Sequence, residues 1–336
     1  MIKIIERLVS GENLKESQMT YAMTEIMEGR VSSVHMASFL TALRLKGETS
    51  EEISGGAKVM RDKAEQIDLG DRYTVDTCGT GGDGTDTYNI STASAFVTAA
   101  GGVAVVKHGN RSVSSQCGSA DVLETLGINI GINSKRVKEC VEKIDLGFLY
   151  APAFHSSMKY AAAVRKELGF RTIFNMLGPL TNPARANGQV LGVFHENLTG
   201  LMAEAMKKLG TEHVLVVHGM DGMDEITVTD RTKVSELKGG KINSYYIEPE
   251  DFGMKRRFKE ELEGGTPKEN AEIIRGIFKG EIREAKKDIL LLNSGAALYA
   301  GKKASSIQEG VEMAREIIES GKALAKLDEL VEMTNR

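Results

Sequence analysis

A glycine-rich segment follows the first predicted strand of the chain. Residues 73–78 are predicted as a strand, and residues 79–84 after it read GTGGDG. Because glycine has no Cβ, its backbone N–H groups can close around phosphate oxygens. Residues 89–92 (NIST) then open a predicted helix, whose electropositive N-terminus stabilises an anion. The segment favours a phosphate-binding loop, although a tight turn followed by an ordinary helix cap explains these residues equally well.

The same glycines also match G-x-G-x-x-G, the fingerprint of dinucleotide-binding folds. In that fold the helix begins directly at the last glycine, and an acid stands about 20 residues further on. Here residues 85–90 intervene, and the second predicted strand ends in the basic residues Lys107 and His108. A nicotinamide site is therefore rejected, and the phosphate interpretation remains.

A second polar loop leaves the strand predicted at residues 103–107. Residues 107–115 read KHGNRSVSS, which combines two cations with hydroxyls and a glycine. The carboxyl ends of neighbouring strands are where open α/β sheets bind ligands. A solvated loop explains one such segment, but two on adjacent strands favour a ligand with several negative oxygens, such as a pyrophosphate. His108 fits a packing role better than catalysis, as lone loop histidines usually do.

Two adjacent acids, Asp224 and Glu225, lie on a glycine-containing loop after the strand predicted at residues 214–217. Mg²⁺ takes oxygen ligands and usually binds through one or two carboxylates together with substrate phosphates. The pair therefore suits magnesium, but acidic surface loops are common and the pair alone is weak evidence. Asp83 and Asp221 are explained by turn chemistry.

The elements that must position these loops form two regions. The first seventy residues are predicted to be helical, with apolar stripes over residues 19–26 and 34–43. Thr49 and Glu52 form a capping box for a third helix. These stripes are best explained as a helix-bundle core, and contact with a second subunit is the alternative.

From residue 73 onwards strands and helices alternate, which predicts a mostly parallel sheet with covering helices. Residues 225–248, including Ile226 and Val228, are predicted as β structure, and long helices end the chain. Residues 178–183 (GPLTNP) read as a turn or hinge. The fold class is therefore α/β, with a small helical N-terminal domain.

Composition excludes several classes of protein. Hydrophobic residues make up 41% and charged residues 27% of the 336 residues, which is typical of a soluble globular protein with more than one core. The net charge of −4 argues against a nucleic-acid binder. Three cysteines without C-x-x-C spacing predict neither disulfides nor a zinc site. We expect a cytoplasmic protein, because no signal peptide and no membrane-spanning stretch of about 20 apolar residues is evident.

Taken together, residues 79–83, 89–92 and 107–111 and the Asp224–Glu225 pair resemble the signature of the anthranilate phosphoribosyltransferases in order and spacing. The resemblance spans essentially the whole chain. It implies a helical domain over residues 1–70, with a later helical contribution near 165–185. It also implies an α/β domain of the nucleoside-phosphorylase type over residues 71–336, and a homodimer joined through the helical domain.

The resemblance further implies a set of ligand-binding residues. Phosphoribosyl pyrophosphate (PRPP) would contact Gly79, Gly82, Asp83, Thr87, Asn89, Ile90, Ser91, Thr92, Lys107, His108, Gly109, Asn110, Arg111, Ser112, Val113, Ser114, Ser115 and Ser119. Mg²⁺ would be held by Ser91, Asp224 and Glu225. Anthranilate would contact Gly79, Asn110 and Arg165. The implied catalytic residues are Lys107, Asn110 and Arg165. Without the resemblance, Arg165 would be taken for a surface residue.

The activity implied is transfer of the phosphoribosyl group from PRPP to the amine of anthranilate, a step of tryptophan biosynthesis. One alternative is a pyrimidine nucleoside phosphorylase-like enzyme, which shares the architecture but needs no metal pair. Another is a non-catalytic nucleic-acid-binding homologue, for which a basic surface and a degraded acid pair would be expected. The acid pair and the net negative charge favour the transferase, with no nucleic acid and no membrane as partner.

Overall fold

The chain begins with helices and continues as a helix-covered sheet. The computed structural model describes residues 1–112 and 116–336, so Val113, Ser114 and Ser115 of the implied PRPP set lie outside the described residues. The opening helices are α1 (Ile2–Val9), α2 (Glu16–Met27), α3 (Ser33–Lys46) and α4 (Ser50–Lys63).

The predicted signals of this helical region are present. The stripe at residues 19–26 forms the buried face of α2. The capping box opens α4: the Thr49 N–H donates to the Glu52 carboxylate at 2.8 Å, and the Glu52 N–H donates to the Thr49 hydroxyl at 3.3 Å. The assignment of Val34 to the buried stripe of α3 was wrong. Val34 is 74% exposed, because 3.6 residues per turn put it nearly opposite the buried Met36 and Leu43.

A seven-stranded sheet forms the centre of the larger region. Its strands are β1 (Thr74–Gly79), β2 (Ala104–Gly109), β3 (Leu146–Tyr150), β4 (Gly188–Gly192), β5 (His213–Gly219), β6 (Thr232–Lys238) and β7 (Lys241–Ile247). The order is β3-β2-β1-β4-β5-β6-β7, with β1 to β5 parallel and the last two strands antiparallel. Because β1 to β5 are parallel, the loops after β1, β2, β4 and β5 leave the sheet at the same edge, and strand order reverses there between β1 and β4. That reversal is the place where open α/β sheets bind ligands.

Helices cover the sheet as the alternation predicted. They are α5 (Ile90–Ala100), α6 (Ser119–Thr125), α7 (Ser134–Ile144), α8 (Ala151–Phe154), α9 (Lys159–Leu168), α10 (Phe174–Leu177), α11 (Leu198–Lys208), α12 (Pro267–Phe278), α13 (Ala285–Ala300), α14 (Ile307–Glu319) and α15 (Lys322–Asn335). Helix α7 was not predicted. Helix α5 packs on β1, β2 and α13, which fixes its N-terminus at the edge where the loops meet.

The β structure predicted from residue 225 was partly wrong. The strands there are β6 and β7, while Ile226 and Val228 lie in the loop that precedes them. The backbone N–H and carbonyl of Ile226 are hydrogen-bonded to the side chain of Asn293 on α13, at 3.0 and 2.9 Å. These backbone groups are therefore satisfied without a neighbouring strand.

The apolar interior contains two large clusters. One lies between the sheet and α5 and α12 to α15. In the other, α1 to α4 pack together with Ala161 of α9, Leu177 of α10 and the sheet residues Leu191 and Val216. Because this second cluster is continuous with the sheet, the division at residue 70 stays a prediction. Over the described ranges, none of the helices has the length and apolar character needed to cross a bilayer.

Candidate functional site

The glycine-rich loop folds onto the acid pair. Gly81, Gly82 and Gly84 have φ of 64°, 72° and 75°, a left-handed conformation that glycine adopts without steric cost. The Gly81 N–H donates to Asp224 Oδ2 at 2.7 Å. A Cβ on Gly79 would stand 2.4 Å from the same carboxylate oxygen. The loop after β1 and the loop after β5 therefore depend on each other's shape.

The start of α5 makes the second contact with the pair. The Ser91 N–H donates to Glu225 Oε1 at 3.2 Å, and the Ser91 carbonyl accepts from the Thr77 hydroxyl at 2.9 Å. Asn89 occupies the N-cap position of this helix, but its side chain makes no cap hydrogen bond. The Asn89 amide donates instead to the Cys117 carbonyl at 3.1 Å, which ties the two anion loops together.

The two acids form a site of unbalanced negative charge. Burial, and then repulsion from Asp83, raises the pKa of Asp224. Burial, and then the charge of Asp224, raises the pKa of Glu225. Paired carboxylates in such surroundings fit a divalent cation. In the part of the chain that the structure describes, no three His, Cys, Asp or Glu side chains are arranged to hold a metal ion. Further ligands would be the Ser91 hydroxyl, water and a ligand's phosphates.

Lys107 provides a buried positive charge near these acids. It belongs to β2 and is only 3% exposed. Its ammonium donates to the Thr77 carbonyl and lies 3.4 Å from the Ser91 hydroxyl. Burial lowers its pKa, while Asp76, Glu225 and Asp224 act in the opposite direction. A buried cation beside the N-terminus of α5 suits a polyanionic ligand.

His108 is buried and makes the contacts of a packing residue, as its residue type suggested. The backbone N–H of His108 donates to the carboxylate of the buried Asp76 at 3.1 Å, and Asp76 also accepts from the Asn182 side-chain amide at 2.8 Å. The His108 ring lies 5.1 Å from that of His155. Burial lowers the pKa of His108 to about 3 and that of His155 to about 4, so both imidazoles are neutral near pH 7. Residues 178–183, predicted as a turn or hinge, are therefore bonded to β1 through Asn182.

The rest of the second loop surrounds the start of α6. The Asn110 carbonyl accepts from the Ser119 hydroxyl at 3.2 Å, and a Cβ on Gly109 would lie 2.3 Å from that hydroxyl oxygen. The Ser112 N–H donates to Asp121 at 3.0 Å. Arg111 forms ion pairs with Asp121 and Glu124 on α6. In this arrangement the Arg111 guanidinium is paired with the two acids of α6.

The remaining residues of the implied PRPP set lie around the first loop. Asp83 accepts from the Thr85 hydroxyl, which agrees with its interpretation as a turn residue. Thr87 forms an isolated bridge with Glu263. Ile90 and Thr92 are buried in the first turn of α5.

Arg165 is a half-buried cation on α9. Its guanidinium lies 5.1 Å from the centre of the Phe174 ring, and burial lowers its pKa. Among the described residues, no acid partner acts on Arg165, and burial is the sole cause of its pKa shift. A partly desolvated guanidinium without a carboxylate partner suits a small anionic ligand.

Two further residues were missed by the sequence analysis. Arg171 lies 4.2 Å from the centre of the Phe194 ring and donates to the Gly82 carbonyl. A single loop arginine carries no sequence signal. Asn293, which bonds Ile226 behind the acid pair, interrupts the run ILLLNSGAALYA of α13. A lone asparagine inside such an apolar helix was the available signal.

Known proteins resemble this chain over nearly its whole length. Residues 2–64 match the family model described as the helical bundle domain of a glycosyl transferase family, and residues 71–324 match its a/b domain. The chain is 61% identical to the anthranilate phosphoribosyltransferase of Acetivibrio thermocellus, over 99% of this chain and 96% of that protein.

Solved structures show the same likeness. The anthranilate phosphoribosyltransferase of Thermus thermophilus superimposes with a TM-score of 0.94 at 44% identity, covering 99% of both chains. The anthranilate phosphoribosyltransferase of Saccharomyces cerevisiae, in complex with PRPP and Mg, gives a TM-score of 0.91 at 28% identity, covering 99% of this chain and 97% of that one.

Proposed function

The chain belongs to the anthranilate phosphoribosyltransferase family, and we propose that the loops after β1, β2 and β5 form its catalytic site. The enzyme transfers the phosphoribosyl group of PRPP to the amine of anthranilate, releasing pyrophosphate, in tryptophan biosynthesis. The observation that carries the assignment of the site is the meeting of two anion-accepting amides with two carboxylates. These are the contacts of Gly81 with Asp224 and of Ser91 with Glu225.

PRPP binds along the loops after β1 and β2. The amides of residues 79–82, the N-terminus of α5 and the buried ammonium of Lys107 supply donors and positive charge for its phosphates. The carboxylates of Asp224 and Glu225 accept hydrogen bonds from the Gly81 and Ser91 amides. PRPP therefore competes with these acids for donors unless their charge is neutralised.

Ser91, Asp224 and Glu225 are the residues that hold Mg²⁺. The cation, when bound, neutralises negative charge on the phosphates and stabilises the departing pyrophosphate. The unbalanced charge of the buried acids supports this assignment, as does the magnesium in the yeast relative's PRPP complex.

Anthranilate binds between the sheet edge and α9. Arg165 faces its carboxylate, and Gly79 and Asn110 contact the ring and amine. The absence of an acid partner for Arg165 among the described residues supports this role, since its charge is otherwise uncompensated. The yeast relative has also been solved in complex with 4-fluoroanthranilate.

The chemistry requires little proton transfer from the protein. An aromatic amine is neutral near pH 7 and attacks C1 of the ribose without a strong base. The neutral His108 and His155 are not placed to act as acids at that pH. Fixed positive groups at the leaving pyrophosphate, with alignment of the two substrates, supply most of the acceleration.

The enzyme acts as a cytoplasmic homodimer joined through its helical domain. Ile2, Val9, Val34 and Leu45 of α1 and α3 are all more than half exposed. Exposed apolar side chains in one region are typical of a subunit contact. None of the described cysteines Cys78, Cys117 and Cys140 is in a disulfide, which supports a reducing compartment.

The direct test mixes the purified protein with PRPP, Mg²⁺ and anthranilate and follows the loss of anthranilate fluorescence. We expect loss that requires all three components. Phosphorolysis of uridine or thymidine, measured in parallel, is the control for the pyrimidine nucleoside phosphorylase activity. Phosphorolysis without anthranilate consumption would overturn the proposal.

A further inference from the structure

The loop that carries the acid pair is anchored by one side chain behind it. The backbone N–H of Ile226, the residue after Glu225, donates to Asn293 Oδ1 at 3.0 Å. The Ile226 carbonyl accepts from Asn293 Nδ2 at 2.9 Å. One amide side chain thus bonds both backbone groups of a single residue, as a neighbouring strand would. Among the described residues, no strand pairs with this loop.

Asn293 is costly to place where it is. It is 2% exposed in the middle of α13, within the mostly apolar run ILLLNSGAALYA. An asparagine lowers helix propensity, and a buried amide without partners is unfavourable. Its Nδ2 also donates to the Ile289 carbonyl one turn earlier, at 2.9 Å, which fixes the direction in which the side chain points. The oxygen and the nitrogen of the buried amide are therefore both hydrogen-bonded, and two of the three bonds go to the loop that carries the acid pair.

The helix that carries Asn293 also supports the other side of the site. Helix α13 packs along α5, whose first turn carries Ser91. Movement of α13 or loss of its asparagine would change the distance between Ser91 and Glu225.

We propose that Asn293 is a positioning residue for the Asp224–Glu225 pair, and that it sets the affinity of the site for its divalent cation. The inference rests on the proposed function in taking this pair as the cation site. Asn293 touches neither substrate nor cation. It acts through the backbone of Ile226, as groups behind metal ligands commonly do.

The test compares Asn293→Ala and Asn293→Leu with Ser294→Ala in the full-length protein. Leucine keeps the γ-branched shape of the side chain, although it is bulkier, and removes all three bonds. Ser294 is fully buried on the same helix, and its hydroxyl has no hydrogen-bond partner among the described residues, so its loss perturbs α13 without releasing the loop. Mn²⁺ binding is measured by electron paramagnetic resonance with PRPP present and anthranilate absent. The Mg²⁺ dependence of turnover and the Michaelis constant for anthranilate are measured separately.

We expect both Asn293 variants to bind Mn²⁺ about 10- to 100-fold more weakly, the range found for groups behind metal ligands. Their half-saturating Mg²⁺ concentration should rise in parallel, with the Michaelis constant for anthranilate unchanged. Ser294→Ala should behave like the wild type. Folded Asn293 variants with wild-type Mn²⁺ affinity would overturn the inference while leaving the proposed function intact, because wild-type turnover tests that separately.

Hydrogen exchange of the wild type decides the case in which the variants do not fold. The Ile226 amide should exchange as slowly as amides of β5, since it is bonded to a buried side chain. Rapid exchange at Ile226 would show that Asn293 does not hold the loop.

Discussion

The carbonyl oxygen of Asp224 lies against the Cα of Gly192, the last residue of β4. A Cβ built on Gly192 would stand 1.5 Å from that oxygen, and within 2.5 Å of the carbonyl carbon. Because both partners are backbone, no side-chain rotation relieves the clash. The glycine is therefore required for the acid pair to reach the edge of the sheet.

Gly192→Ala should displace Asp224 and lower turnover by about 10²-fold, the loss that a shift of about 1 Å can cause at a catalytic site. Steady-state kinetics at saturating substrates measures it. Gly200→Ala is the matched control, because nothing lies within 4 Å of a Cβ at that position on α11. The control should be neutral or stabilise the fold by up to about 1 kcal/mol. Equal turnover of the two variants would contradict the proposed dependence on Gly192.

The acids that we propose as cation ligands should oppose PRPP binding when the cation is absent. Asp224 and Glu225 occupy the Gly81 and Ser91 amides and repel a polyanion. We expect the double variant Asp224→Asn, Glu225→Gln to bind PRPP in excess chelator more tightly than the wild type, by on the order of tenfold. Added Mg²⁺ should tighten binding to the wild type only. Isothermal titration calorimetry measures both, and weaker binding by the variant in chelator would refute the competition.

Substitutions of Lys107 and Arg165 should affect different kinetic constants. Lys107→Ala removes the fixed charge that we propose at the leaving group and should lower turnover by about 10²- to 10³-fold, and Asp224→Asn should likewise act mainly on turnover. Arg165→Ala should mainly raise the Michaelis constant for anthranilate, by about tenfold or more for a lost charge-assisted bond. Arg165→Lys keeps the charge without the planar fork and should recover only part of the affinity. The opposite assignment of effects would contradict these roles.

Local sequence patterns predicted much of this molecule. The capping box of Thr49 and Glu52 and the alternation of strands with helices depend on neighbours in the chain, and they are present as expected. The two glycine-containing loops could be identified because their residue types determine what the backbone can bind. Arg165 entered only through the family resemblance, since nothing in the sequence of α9 distinguishes it from a surface arginine.

Contacts between distant parts of the chain could not be predicted. The bond between Asn182 and Asp76 spans 106 residues, and the bond between Asn293 and Ile226 spans 67. The second explains the error at Ile226, whose apolar β-branched side chain suggested a strand. The Asn293 amide satisfies the backbone of Ile226 in place of a neighbouring strand. No local sequence pattern predicts such a contact.

Arg171 should steady the glycine-rich loop. Its guanidinium joins the Phe194 ring to the Gly82 carbonyl. Arg171→Leu keeps much of the packing on Phe194 but frees the loop, so the Michaelis constant for PRPP should rise by about 3- to 10-fold, as expected for one lost hydrogen bond. Arg231→Leu is the control, because Arg231 lies 4.6 Å from the centre of the Tyr246 ring in a comparable stack away from Gly82. Equal Michaelis constants in the two variants would rule out this role.

Glu236 should make stability depend on pH without affecting catalysis. Its carboxylate accepts from Tyr299 and Tyr245 at 2.8 Å and contacts His213 at 2.9 Å. Burial alone would raise the pKa of Glu236, but these bonds outweigh it and lower the pKa to about 2. A lowered carboxyl pKa stabilises the fold above the unfolded value of about 4.5, and this stability is lost as the pH falls towards 2.

Glu236→Gln should therefore lower the free energy of unfolding at pH 7 by on the order of 1–2 kcal/mol, and the difference should shrink between pH 5 and pH 3. Urea unfolding at each pH measures it, with Glu204→Gln on the exposed face of α11 as the control. Turnover near pH 7 should not change, since His213 begins β5 and the acid loop follows its opposite end. A difference in stability that grows as the pH falls would show that Glu236 is not held as a carboxylate.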